Sequence, residues 1–294
     1  MSDFIKKIEF KKFGCRTKDF SPKLLDPYVN IFIKVTDTCN ANCAFCSNNK
    51  KYSLDKNSEF DFDKLWGIIN ELQANNIFIN RINITGGEPS TIPNIVDKIL
   101  YKATENNYSK IHLHLNTNGL LPSSQDLMRN PRWNSISVSL HHYDRKKLSE
   151  IYGVSIPEKA LRFEDINLKK VNASCNLIRG YIDSIDEVEK MLKLAVSLNI
   201  PRLGFVALMK INDYCSKHFI DLDEIDFRSI PHLYFTESRN RGKACKCSNY
   251  LFNHDLKILE VYMRNYANPQ YCESSLLFDG QYLRQGFHND NIIY

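Results

Sequence analysis

The sequence predicts an α/β fold, a partial (β/α)6 TIM-like barrel with a β-rich C-terminal cap. Three observations predict it. Short β-branched runs recur at residues 30–35, 77–84, 111–115, 135–140, 171–178 and 203–208, and stretches with helical spacing of apolar residues lie between them. Repeated strand-then-helix units imply a parallel sheet, because parallel neighbours need a long crossover. Six units rather than eight imply an open barrel with a wide lateral mouth. After residue 228 the alternation stops, and strand-like runs at 232–236, 250–252, 258–263 and 274–278 follow one another. The expected layout is therefore a lead-in over 1–29, the barrel over 30–228 and the cap over 229–294.

Composition narrows the class. Hydrophobic residues make up 43% and charged residues 25%, a globular balance that excludes disorder. No apolar run approaches the ~18 residues of a membrane span, and the N-terminus lacks the apolar core of a signal peptide. A cytoplasmic protein with no membrane partner is expected. In a reducing compartment the 9 Cys read as metal ligands and free thiols rather than disulfides. The net charge of +5 fits a solvated surface, and no nucleic-acid motif is present.

In the lead-in, Phe4, Ile5, Ile8, Phe10 and Phe13 suggest a short strand or hairpin, and Cys15 reads as a free thiol. The first strand opens into a loop carrying Cys39, Cys43 and Cys46 in C-x3-C-x2-C spacing. Thiolates select iron–sulfur clusters, zinc or copper(I). Three thiols leave one iron of a cubane without a protein ligand. Zinc needs a fourth ligand nearby, and the next His, His112, is far downstream. The spacing favours the cluster and leaves zinc open.

A helix follows, capped by Asp61 or Asp63, with Leu65, Ile68, Ile69 and Leu72 on one face. The second strand runs into Thr85-Gly86-Gly87-Glu88-Pro89, where paired glycines allow a ligand close to the backbone. Pro89 and Pro93 start the next helix. The third strand alternates strictly, so His112 and His114 share a face, and Asn116-Thr117-Asn118-Gly119 ends it. His141 and His142 follow the fourth strand, at the mouth where barrel chemistry occurs. Cys175, within the fifth strand, reads as a packed small hydrophobe. The helix over 184–198 is strongly periodic, and the sixth strand completes the barrel.

Cys39, Cys43, Phe45 and Cys46 after the first strand, with Gly86-Gly87-Glu88-Pro89 after the second, resemble the radical S-adenosylmethionine (radical SAM) superfamily. The resemblance runs from residue 30 to about residue 210, one usual domain length. It implies an enzyme in which Cys39, Cys43 and Cys46 hold a [4Fe-4S] cluster whose open iron chelates S-adenosylmethionine. Reductive cleavage would give a 5′-deoxyadenosyl radical that abstracts hydrogen from a substrate. The resemblance further implies that Phe45 flanks the adenine and that Gly86, Gly87 and Glu88 receive the amino group. Asn116 would lie near the cofactor, Ser139 would bond the ribose, and Asn176 and Arg179 would support the methionine and ribose parts. A reductant such as flavodoxin or ferredoxin is implied as partner.

Peptide or protein maturation is the expected activity. The alternative is tailoring of a small molecule such as a nucleotide, cofactor precursor or sugar. A third reading is a non-catalytic zinc or iron–sulfur protein that binds nucleic acid. The family's molybdopterin-precursor cyclase ends in Gly-Gly, so the ending Asn291-Ile292-Ile293-Tyr294 counts against that specific activity. Late in the chain, Cys215, Cys245, Cys247 and Cys272 are expected to hold a second iron–sulfur cluster, with structural zinc on the same thiolates as the alternative. Arg239, Arg241, Lys243 and Lys246 surround the C-x-C and favour thiolate. This region loosely resembles the family's SPASM and twitch auxiliary-cluster regions without matching their spacing.

Overall fold

Strands begin wherever β-branched runs can bury one side. They are β1 (Tyr28–Lys34), β2 (Phe78–Thr85), β3 (His112–Thr117), β4 (Ser135–Ser139), β5 (Val171–Leu177) and β6 (Arg202–Ala207). The structure, a computed structural model, describes residues 3–10, 27–46, 59–105, 108–238, 246–266, 275–286 and 292–294. Phe13, Cys15 and the polar stretch 47–58 lie outside them. In the described part of the lead-in, a helical turn, α1 (Asp3–Lys6), replaces the expected strand. Phe4, Ile5 and Ile8 are all buried there, at a spacing that suits a helix better than a pleat.

The crossovers carry α2 (Phe62–Ala74), α3 (Pro93–Lys102), α4 (Pro122–Arg129), α5 (Arg145–Tyr152) and α6 (Ile185–Ser197), and the short α7 (Asp213–Lys217) follows β6. Side-chain oxygens cap four of their N-termini: Asp61 accepts from the Lys64 N–H at 2.8 Å, Asp144 from Lys147 at 2.9 Å, Ser184 from Glu187 at 3.3 Å and Asn212 from Cys215 at 2.7 Å. Each such cap is worth about 1 kcal/mol. No helix among the described residues is long and apolar enough to cross a membrane.

The late strands are β7 (Leu233–Ser238), β8 (Ser248–His254), β9 (Lys257–Asn265), β10 (Ser275–Phe278) and β11 (Leu283–Gln285). All join the same sheet, in the order β11-β10-β1-β2-β3-β4-β5-β6-β9-β8-β7. From β10 through β9 every neighbouring pair is parallel, and the flanking pairs are antiparallel. The β-rich region therefore extends the barrel sheet at both edges rather than covering one end. An open six-stranded sheet would leave backbone donors and acceptors unpaired along β1 and β6; β10 and β9 pair with them. Between β8 and β9, Asp255 (φ 49°) and Leu256 (φ 59°) form the two-residue left-handed turn of a tight hairpin.

Strand alternation gives the sheet two unlike faces. Ile31, Ile33, Ile82, Ile84, Leu115, Val138, Ala173 and Phe205 point one way and are fully buried against the helices. The inner face carries Asn83, His114, Ser135, Ser137, Asn172, Ser174 and Asn176, in register across β2 to β5. In β4 the switch occurs at every residue, Ser-Ile-Ser-Val-Ser.

Candidate functional site

The cysteine loop is an extension of the β1–β2 ladder. Past the strand ends, Val35 N–H donates to the Thr85 carbonyl at 2.9 Å, Gly87 N–H to Thr36 at 2.6 Å and Glu88 N–H to Thr38 at 2.8 Å. A Cβ on Gly86 (φ 155°) would lie 2.6 Å from the Thr36 oxygen, and one on Gly87 would overlap the Thr38 carbonyl. The paired glycines thus serve a close approach, but to the cysteine loop's own backbone. On the other side of the loop, Asn42 N–H donates to the Tyr152 carbonyl at 2.8 Å. Gly153, left-handed at φ 64°, allows that contact. Lys34, buried at the end of β1, pairs with Asp37 where the loop begins.

Cys39 and Cys46 are exposed and Cys43 is half-buried. Burial, reinforced by the neighbouring Cys46 and Cys39, pushes the Cys43 thiol up to about 12. Partial desolvation of its sulfur also raises Cys39, although the residue as a whole is exposed, and that sulfur accepts from the Ala41 N–H at 3.4 Å. Bare thiols so placed stay protonated at neutral pH, so metal binding would release protons. Among the described residues no three Cys, His, Asp or Glu side chains converge on a single-ion site. Three thiols on one loop suit a cubane with one open iron.

Glu88 follows the glycines and is 1% exposed. Its Oε1 accepts from Ser90 N–H at 3.1 Å, Ser90 Oγ at 2.7 Å and Thr117 Oγ1 at 2.7 Å. Its Oε2 accepts from the Asn118 N–H at 2.7 Å. The carboxylate expected to face a cofactor is therefore engaged by the chain itself, latching the β2 end to the β3 end. Asn118 in turn donates from Nδ2 to Asn40 Oδ1 at 2.8 Å and toward Cys39 Sγ at 3.8 Å. Asn116, one pleat earlier, sits half-buried on the inner face and donates to the Ile84 carbonyl at 3.3 Å.

Across the mouth, His141 Nδ1 accepts from the Asn176 N–H at 3.1 Å. Burial pushes its pKa down to about 3, so the ring is neutral with its proton on Nε2. The ring meets Phe45 edge-on, centroids 4.9 Å apart. Ser139 and Asn176 are half-buried on the inner face, and the Ser139 carbonyl accepts from the Tyr152 hydroxyl at 2.7 Å. His142 Nδ1 accepts from the Asp144 N–H at 2.8 Å, and burial lowers its pKa. His112 Nε2 and His114 Nδ1 each lie 2.6 Å from Ser135 Oγ.

The structure also describes Arg179 and two of the four late cysteines. Arg179 is bound at the surface, with its guanidinium on Glu224 at 2.6 Å and on the Phe219 carbonyl at 3.0 Å. It lies in the turn beyond β5, where a long cation finds an acidic partner and water more cheaply than a place on the inner face. Of the four late cysteines, Cys215 and Cys247 are among the described residues, each with its own partner. Cys215 Sγ donates to the Phe45 carbonyl at 3.6 Å and packs with Ile151, Ile178 and Leu208. Asn212, at the start of α7, donates to the Ala44 carbonyl at 3.0 Å. Cys247 accepts from the Asn265 N–H at 3.2 Å, between β8 and β9. Cys245 and Cys272 lie outside the described residues. The sequence reading missed Asn118, Tyr152 and Asn212 as loop-holding residues. The adjacency of Asn118 to Thr117 and Gly119 was the available signal for one of them.

Residues 33–222 match the family model of the Radical SAM superfamily. The chain belongs to the radical SAM superfamily. As a radical SAM protein it is an enzyme, and the family's cofactors are a [4Fe-4S] cluster and S-adenosylmethionine. A GTP 3',8-cyclase of Clostridium acetobutylicum is 26% identical over 187 residues, covering 62% of this chain and 56% of that protein. A probable GTP 3',8-cyclase of Saccharolobus islandicus is 25% identical over 285 residues, covering 91% of this chain and 85% of that protein. The chain thus spans only about half of the clostridial relative. Among solved structures, Streptococcus suis SuiB bound to precursor peptide SuiA is 19% identical with a TM-score of 0.47, covering 72% of this chain and 43% of that one. Native anSMEcpe with bound AdoMet and Cp18Cys peptide is 19% identical, also with a TM-score of 0.47, covering 64% and 55%.

Proposed function

We propose that this radical SAM enzyme acts on a small hydrophilic molecule, with nucleotides the first class to test. The observation that carries the reading is the polar inner face. Interiors of such barrels are ordinarily filled by bulky branched side chains. Here Asn83, His114, Ser135 and Asn172 are buried on that face, and buried polar groups are stable only when hydrogen-bonded. A face of amides, hydroxyls and imidazoles suits a ligand rich in the same groups. The GTP 3',8-cyclase relatives support the same direction. Peptide or protein maturation, the first expectation from the sequence, gives way to it.

In this reading Cys39, Cys43 and Cys46 hold the cluster, and Gly86, Gly87 and Glu88 border the cofactor's amino end. Glu88 acts there by keeping the loop in place. Phe45, backed by the neutral His141 ring, flanks the adenine, Ser139 meets the ribose, and Asn116 and Asn176 line the cofactor's inner side. When bound, the cluster and S-adenosylmethionine supply hydrogen-atom abstraction. The protein's part is to hold both, orient the substrate on the inner face and exclude water. The electron comes from a partner of the flavodoxin or ferredoxin class.

The test uses anaerobically reconstituted protein with dithionite. Formation of 5′-deoxyadenosine should vanish in the Cys39/Cys43/Cys46 triple Ala variant, and persistence there would refute the ligand set. A panel of nucleotides, sugars and short peptides then separates the substrate classes. Stimulation by peptides alone would refute the small-molecule reading.

A further inference from the structure

We infer that Asn118 is a positioning residue of the core cluster: it fixes Cys39 and raises the reduction potential of the cluster that Cys39 anchors. The inference rests on the reading that Cys39, Cys43 and Cys46 are the cluster ligands. Asn118 is 8% exposed, and its backbone N–H and side-chain amide are engaged. Its N–H donates to Glu88 Oε2 at 2.7 Å, and its Oδ1 accepts from the Leu120 N–H at 3.0 Å. One Nδ2 hydrogen goes to Asn40 Oδ1 at 2.8 Å, and the other points to Cys39 Sγ at 3.8 Å. These partners fix the orientation of the amide. Rotating it by half a turn would set Nδ2 against the Leu120 donor and Oδ1 against the Asn40 oxygen, two like-with-like contacts. The donor facing the sulfur is therefore held by three other hydrogen bonds, one of them to a carboxylate that itself ties β2 to β3.

The chemistry follows from charge. A thiolate on iron is more negative than a thiol, and an N–H aimed at it forms a charge-assisted bond. Adding an electron to the cluster increases the negative charge on its sulfurs. The N–H···S bond accordingly stabilises the reduced form more than the oxidised one, and the potential rises. The Ala41 N–H, 3.4 Å from the same sulfur, works in the same direction. That donor is backbone, so the side-chain share belongs to Asn118.

Three variants of the full chain test this after anaerobic reconstitution without S-adenosylmethionine: Asn118→Ala, Asn118→Asp and Asn40→Ala. Iron content is counted, and the midpoint potential is read by an EPR-monitored dithionite titration with mediators. Asn40→Ala, which removes only one of the three bonds that hold the donor, should shift the potential by less than Asn118→Ala does. Asn118→Ala should make reduction about tenfold less favourable, a fall of about 59 mV for a one-electron couple. Asn118→Asp keeps an acceptor for Leu120 but adds charge, and should fall further. Loss of the cluster from both Asn118 variants, with native circular dichroism and a full cluster in Asn40→Ala, would also support the inference through the anchoring of Cys39. It is overturned if the Asn118 variants hold a full cluster at the wild-type potential, if Asn40→Ala shifts as far, or if both Asn118 variants unfold. A wild-type chain that assembles no cluster would overturn the ligand reading and the inference with it.

Discussion

At the scale of single residues, the site depends on polar groups that are buried because they are bonded. Glu88 is the clearest case. In Glu88→Gln the amide oxygen can take over the three donors on Oε1, but the NH2 then faces the Asn118 N–H. The expected loss is about 1–3 kcal/mol, read as a lower urea midpoint. A Glu88 whose only role was toward the cofactor would leave the midpoint unchanged. His141 and His114 give a pH signature. Burial holds each at about 3, below the ordinary 6.5, so between those values the unfolded chain binds protons that the folded chain does not. Stability should fall as pH drops through that window, and His141→Gln should flatten the slope measured by urea unfolding. The cysteines and Gly86-Gly87-Glu88 were legible in the sequence because chemistry sets their types and spacing. Asn118 was not distinguished from Asn116, since only the end of β3 decides which one faces the loop. The surface role of Arg179 was hidden because its partner, Glu224, is 45 residues away.

At the scale of elements, the period of the apolar pattern carried most of the fold. All six barrel strands and the helices capped by Asp61 and Ser184 follow from local chemistry. What sequence could not supply was the contact between elements. The glycines predicted a close approach, yet the approaching group, the Thr36–Thr38 backbone, belongs to a different crossover. Gly87→Ala tests that contact. The new methyl must push the Thr38 carbonyl away and open the Glu88 N–H rung, so Cys39 should move and iron content after reconstitution should drop well below wild type. Asp61→Ala, which removes a cap remote from the loop, should cost about 1 kcal/mol and leave iron content unchanged. Equal iron in both variants would show that the rung does not position the cysteines.

For the whole molecule, the largest departure from expectation is where the late strands go. β9 and β10 read as ordinary strands, and nothing local tells a cap strand from an edge strand, because pairing is a non-local choice. Their positions make the boundary at residue 228 testable. A fragment ending there would bare the edges of β1 and β6 to other chains and should aggregate. A monomeric fragment on size-exclusion chromatography would show instead that the barrel stands alone. The pairing of Asn30 with Ser275 also sets an order of events during synthesis. β1 leaves the ribosome early, but its outer neighbour emerges only after the whole barrel has been made. Closing so long a loop is slow, so the strand that presents the three cysteines waits, one edge unpaired, through most of translation. In that interval the nascent chain is open to chaperones and to whatever delivers iron and sulfide.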